Sequence, residues 1–440
     1  MENNKQTKWI DRGFFAVLLI VVSAITLQLF HWQTLGSPEQ YHSDMKAYIL
    51  EMQGLDSGYS FPYPIFFKLA ALIHLFAEPE FSVALATMLL NSLGIVCVWI
   101  WLRKETLSYL DKAFPKFPWI GGALISLASV ALFFVSMLFP PSGIYLPGIK
   151  YNYLGVFTSN PFHNATYMAA RPFAILAFFQ FAKLLGIYEG VNGAKTVAAK
   201  KVDSQEMESA SDAVARKDYI LFALFLLLAT MTKPSFTIVL VGAAGLIMLY
   251  RLVRAGFRNL KATLKLGLCF IPTFLDLLYQ YQGVFVPDEG VEGGMGFCFG
   301  EIWGLYCDNI PLAIVLAIGF PIFVLLFHFR DFKENTLYRF SWQIYAMGFT
   351  MAFLLYEKGF RKPDFNFSWG YMYGIFFAFV GALVILLRDT GVILQYRNKT
   401  AKRVVKQQTI LVILQWLAFL AHLLCGLYYF WKIFNGNMYY

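Results

Sequence analysis

The residues of this chain that could do chemistry gather in a few short stretches between long apolar runs. The first is "YHSDMKAYILEM", residues 41–52, where Asp44 heads a helical stripe of Tyr41, Met45, Tyr48, Ile49 and Met52. That spacing predicts a helix lying on a membrane surface with the stripe down. Asp44 then falls in its first turn, where backbone N–H groups and the helix dipole favour a charged carboxylate. So held, it can take a proton from a hydroxyl or bind a cation, with His42 beside it for a substrate hydroxyl. The plainer alternative is an acid that caps the helix or wets the loop.

The second stretch, "GIKYNYLGVFTSNPFHNATYMAARPF", residues 148–173, packs Asn160, His163, Asn164, Tyr167 and Arg171 ahead of an apolar run. The planar fork of Arg171 suits a phosphate at the membrane edge, His163 can donate to that phosphate or to a sugar hydroxyl, and Asn160, Asn164 and Tyr167 suit the substrate. Read without chemistry, it is a rigid loop with an arginine reaching the headgroups, and "NAT" is a glycan acceptor only in a eukaryotic secretory compartment. The third, "YEKGFRKPDFNFSWGYMYG", residues 356–374, clusters Lys358, Arg361 and Lys362, three cations suited either to a phosphate leaving group or to lipid headgroups. "MTKPSF", residues 231–236, adds Lys233 at a similar depth and reads first as a proline turn. The segment 282–309 carries Asp288, Glu289, Glu292, Glu301 and Asp308 among many glycines and reads as a flexible lid rather than a second source of acid, since glycine-rich backbone positions side chains poorly.

Apolar elements must position these groups. With 58% hydrophobic and 14% charged residues, the composition is that of an integral membrane protein and leaves no separate soluble domain. Residues 1–440 read as a single all-α polytopic unit of about eleven transmembrane helices: 14–31, 82–102, 118–139, 172–187, 219–232, 235–250, 264–281, 310–328, 340–356, 371–387 and 409–431. The first run is longer than a signal-peptide core, with no cleavage site after it, and is expected to remain as a span. "FPYPIFFKLAALIHLF", residues 61–76, is short and begins with two prolines, so it reads as interfacial or re-entrant within a first outer loop spanning 32–81. Leaving it out puts 27 of the 36 Lys and Arg on one side, which fixes a cytoplasmic N-terminus and an external C-terminus by the positive-inside rule.

The formal charge of +9 resides in short loops rather than on one face, which points to anionic headgroups and away from nucleic acid. The inner segment 188–217 is polar, of mixed charge, and reads as a mobile cytoplasmic connector. The five cysteines form no disulfide framework or zinc motif, although Cys298 and Cys307 share one loop and would be free to pair in an oxidising compartment.

One span, an outer loop with an early acid in "HSD", the proline-led apolar helix "FPYPIFFKLAALIHLF" and a span ending in "WLRKE" together resemble the GT-C superfamily of membrane glycosyltransferases. Ser43 and Met45 flank Asp44 where that superfamily often carries paired acids, so a divalent metal stays optional and no cofactor is implied. The resemblance implies sugar transfer, with inversion, from a polyprenyl-phosphate-linked donor to a glycan, lipid or protein acceptor on the extracytoplasmic face of the cell membrane. Asp44 would be the general base and the cations would hold the phosphate. Two alternatives are a Wzy-like polymerase or O-antigen-ligase-like enzyme using diphosphate-linked oligosaccharides, and a transporter or flippase. A transporter would show broken helices and ionisable groups at mid-membrane.

Overall fold

A computed structural model describes residues 2–37, 39–139, 154–190, 214–285, 293–396 and 402–437. The protein is an all-α polytopic membrane protein, its only strands among the described residues being two of three residues each. The helices are α1 (Glu2–Leu35), α2 (Met45–Met52), α3 (Pro64–His74), α4 (Pro79–Ala113), α5 (Trp119–Ala131), α6 (Ala165–Tyr188), α7 (Arg216–Thr230) and α8 (Ser235–Arg254). They continue with α9 (Leu260–Leu268), α10 (Ile271–Phe285), α11 (Glu301–Gly304), α12 (Ile310–Ala317), α13 (Gly319–Phe327), α14 (Phe329–Glu334), α15 (Thr336–Leu354), α16 (Ser368–Tyr396) and α17 (Lys402–Phe434). Strand β1 (Met295–Phe297) pairs antiparallel with β2 (Leu355–Glu357), Gly296 facing Tyr356.

All eleven apolar runs contain helix, but six helical stretches are long and apolar enough to cross a membrane, or eight when each of two bent pairs is taken as one span. The difference from eleven has local causes. Helix α5 has 13 residues and covers about 20 Å against a hydrocarbon core of about 30 Å. Helix α7 has 15 residues, and the 19 residues of α15 include Arg339, Trp342 and Gln343, which lower its apolar character. Helices α9 and α10 bend by 51° just before Pro272, and α12 and α13 by 74° at Ile318 and Gly319, before Pro321. At the second bend the freed Phe320 N–H donates to His422 Nε2 of α17 at 3.1 Å, and the Leu138 N–H donates to the Leu316 carbonyl at 2.8 Å. Open backbone inside an apolar bundle persists only with such partners.

The centre of the bundle is α16, whose apolar window is wholly buried. Its close neighbour is α15, and glycines set their separation: a Cβ on Gly348 would sit 2.7 Å from the Gly370 carbonyl oxygen, and one on Gly374 2.9 Å from Tyr345 Cα. At one end of the bundle Glu189, just after α6, meets Arg251 of α8 and both Arg339 and Thr336 of α15. Asp11 of α1 meets Arg103 of α4 at that end. The starts of α6, α8 and α16 come together at the opposite end with α2, and there the candidate residues gather.

Helix α2 forms as the spacing predicts, but its stripe faces protein. Met45 and Tyr48 are buried, with Tyr41, Ile49 and Met52 packed against the core rather than on an open membrane surface. Helix α3 is the short apolar helix expected within 61–76, and it buries Phe66, Phe67 and Ala70. Most of the 188–217 connector, and Asp288, Glu289 and Glu292 of the expected lid, lie outside the described residues. The rest of that segment is tied down by the β1–β2 pairing and by Trp303, which is buried against Tyr371 and Phe349, so from residue 295 onward it is no lid. Cys298 and Cys307 are separate buried thiols bonded to the Phe353 and Asn309 carbonyls.

Candidate functional site

Asp44 stands at the N-cap position of α2, yet its side chain makes no capping bond. Its carboxylate turns instead to α6, where Asn164 Nδ2 donates to Oδ2 at 2.5 Å, and Tyr48 OH donates to the same oxygen at 3.1 Å. The expected stabilisation by the turn's N–H groups is therefore replaced by an amide and a phenol. Burial, followed by the charge of Asp44, holds the Tyr48 hydroxyl well above the usual phenol range, so it remains a donor. Among the described residues both hydrogen bonds to this half-buried carboxylate fall on Oδ2, leaving Oδ1 available.

Asn164 is fixed by its other end. As N-cap of α6 its Oδ1 accepts from the Tyr167 N–H at 2.9 Å, the Thr166 hydroxyl at 3.0 Å and Lys233 Nζ at 3.2 Å. An amide oxygen with three donors can turn only its NH₂ toward Asp44. With Nδ2 spent in this way and the residue buried, Asn164 is no glycan acceptor. Lys233, 7% exposed, also donates to Thr166 Oγ1 at 3.0 Å and lies 4.9 Å from the centre of the Trp369 ring. Burial pushes its pKa down to about 8, against the attraction of Asp44 and with a further push from Arg361. In the sequence Pro234 accounts for this turn, and only its place outside the basic loops marks Lys233.

The expected phosphate ligands separate. Arg171 is 0% exposed, with NH2 bonded to the Ser159 carbonyl at 2.5 Å and to Asn160 Oδ1 at 2.7 Å, and its plane near the rings of Phe133, Tyr167 and Phe376. It lies nearly two turns below Asn164 on α6 and locks the 158–160 segment onto the bundle, so it has no face for a lipid phosphate. Asn160 is equally committed, its Nδ2 donating to the Val135 and Leu132 carbonyls at 2.7 and 3.1 Å. Tyr167 is buried, donates to the Ser159 carbonyl and accepts from Tyr373 OH at its own carbonyl. These three support the site from below and do not face it.

His163 remains at the site: its carbonyl accepts the Asp44 N–H at 3.2 Å, and its ring lies 5.5 Å from Trp369 and 6.5 Å from exposed His42. Burial first, then His42 and Lys233, hold its pKa well below the ordinary value, so the imidazole is neutral at pH 7. Arg361 pairs with Glu357 at 3.1 Å and, more loosely, with Asp364 at 3.7 Å. Its charge lies near enough to lower the pKa of both Lys233 and Tyr63, which puts the Arg361–Glu357 pair at the edge of the site. Lys362 turns away to Glu301 at 2.6 Å, and Lys358 is exposed, its backbone N–H bonded to the Gly294 carbonyl.

The assembled site is thus Asp44, Tyr48, His163, Asn164, Lys233 and Arg361, with the starts of α6 and α8 beneath. It can accept a proton at Asp44 Oδ1 and hold an anion near Lys233, whose partners are neutral. Among the described residues no three His, Cys, Asp or Glu side chains group as metal ligands. No known protein family, curated protein or solved structure matches this chain.

Proposed function

We propose that the protein is a GT-C-type membrane glycosyltransferase that moves a sugar from a polyprenyl-phosphate carrier to an acceptor hydroxyl on the extracytoplasmic face. The observation that carries this reading is the Asp44 carboxylate, fixed through Oδ2 by Asn164 and Tyr48 with Oδ1 open, beside buried Lys233 and the Arg361–Glu357 pair. Oδ1 takes the proton of the acceptor hydroxyl as its oxygen attacks the anomeric carbon. The carbon–oxygen bond to the phosphate breaks, its electron pair leaves on the phosphate, and the configuration inverts in one displacement. A base so positioned accelerates transfer by about 10² to 10⁴. Lys233, with the positive ends of α6 and α8, takes over the phosphate role first expected of Arg171, while Arg361 stays paired with Glu357 and Asp364. The Asp44 cluster lies at the end of the bundle opposite Arg103, Arg251 and the basic loops read as cytoplasmic, which supports the extracytoplasmic face.

A transporter is the second reading, and the two bent helix pairs favour it. The two separate in one assay. Purified protein given a synthetic polyprenyl-phosphate sugar together with hydroxyl acceptors (oligosaccharides, and water as the minimal acceptor) is expected to release polyprenyl phosphate, and Asp44→Asn is expected to slow release by about 10² to 10⁴ while the protein still melts cooperatively. Full release by Asp44→Asn, or none by the wild type with any polyprenyl-phosphate hexose or pentose, would overturn the proposal.

A further inference from the structure

Beside the Asp44 cluster lies an open groove of about 640 Å³ between the segment that joins α2 to α3 and the last turns of α10. That volume is within the range of about 300 to 1,000 Å³ typical of small-molecule sites. Glu51, Tyr59, Phe61, Tyr279 and Gln282 line it. Among the described residues the Glu51 carboxylate and the Gln282 amide have no hydrogen-bond partner, so both are open to a ligand. Tyr59 and Tyr279 are both more than half exposed. Flat rings beside a free carboxylate and a free amide suit a pyranose, whose C–H face packs on an aromatic ring while its hydroxyls pair with planar acceptors and donors.

The groove lies next to the Asp44 cluster. The Phe61 ring meets the Tyr48 ring at 5.3 Å, and Tyr48 OH bonds to Asp44, so one aromatic pair separates the groove from the carboxylate. Both walls hang on the turn that carries Lys233: Ile65 N–H donates to the Met231 carbonyl at 3.1 Å, and Gln280 Nε2 to the Thr230 carbonyl at 3.1 Å. Glu51 follows Asp44 by seven residues on α2, hence on the same face and about 10 Å along the axis, the length of a disaccharide.

We infer that this groove binds the acceptor and that the acceptor is a carbohydrate, its terminal sugar at Asp44 and its inner sugars on Tyr59, Tyr279, Glu51 and Gln282. Only the role of acceptor rests on the transferase reading. The groove as a saccharide site is tested apart from it, by saturation-transfer NMR on the full chain in nanodiscs with di- to tetrasaccharides of hexose, N-acetylhexosamine and pentose composition. At least one is expected to bind, with Kd raised about tenfold or more by Tyr279→Ala and by Glu51→Ala. Tyr279→Phe keeps the ring and is expected to bind as the wild type does. Tyr279 is 67% exposed, so truncating it leaves the packing intact, and unchanged melting temperatures check that. Absence of binding across the panel, or binding that survives both alanine variants, overturns the groove. If donor cleavage needs Asp44 while the groove stays empty, the transferase stands without this acceptor site. If sugars bind but no donor is cleaved, the groove stands and the transferase falls.

Discussion

Where α6, α8 and α15 meet, Glu189 takes Arg251, Arg339 and the Thr336 hydroxyl, and nearby Asp331 and Asp389 share Arg388 at 2.7 and 3.0 Å. Every carboxylate in those clusters faces a guanidinium. At the opposite end Asp44 is held only by neutral donors, while the buried ammonium of Lys233 is bound by neutral acceptors one amide away. The first arrangement joins helices, because opposite charges in contact are satisfied and have nothing left to offer. The second keeps an acid and a cation separate but mutually oriented through Asn164, which leaves each with capacity for a substrate.

This contrast breaks most visibly at Asp44. Asp44→Asn is expected to lower the rate of polyprenyl-phosphate release by about 10² to 10⁴ with an unchanged melting temperature. Glu189→Gln should do the reverse, destabilising the fold by about 1 to 3 kcal/mol as two guanidinium groups lose their counter-charge, with kcat preserved; thermal melts and turnover measured together check both halves. Lys233 gives a smaller, pH-dependent signature. If the ammonium is required, activity falls about tenfold per pH unit above its value of about 8, and Lys233→Arg moves that limb upward in a pH–rate profile. The folded chain releases this proton at lower pH than the unfolded chain. Its burial therefore costs stability below about pH 8, and stability on this account rises between there and the ordinary lysine value. Smallest of all, Lys362→Ala removes an exposed pair with Glu301 and is expected to leave both melting and turnover unchanged.

Several of these residues were legible in the sequence, because membrane proteins confine polar side chains and each exception stands out. Asp44, His163, Asn164 and Arg361 stand out on those grounds; the first three are in direct contact, and Arg361 lies at the edge, paired with Glu357. Arg171 was singled out by the same logic and is a structural lock. A guanidinium at the start of a span can reach outward to a headgroup or inward to backbone carbonyls, and the choice depends on the 158–160 segment folding over it. Lys233 does not stand out, because its neighbour Pro234 explains the turn and nothing local reveals that Thr166 and Asn164 stand opposite.

Composition and the recurrence of apolar runs determined by themselves that this is an all-α membrane protein, since only helices satisfy their own backbone within each segment. They also located α2, α3 and the polar stretches between helices. Which polar groups meet was decided by packing alone: the Asn164–Asp44 bond joins residues 120 apart and the Lys233–Asn164 bond residues 69 apart. Separations of that size carry no periodic signal along the chain. They arise only when α2, α6 and the turn before α8 dock around α16.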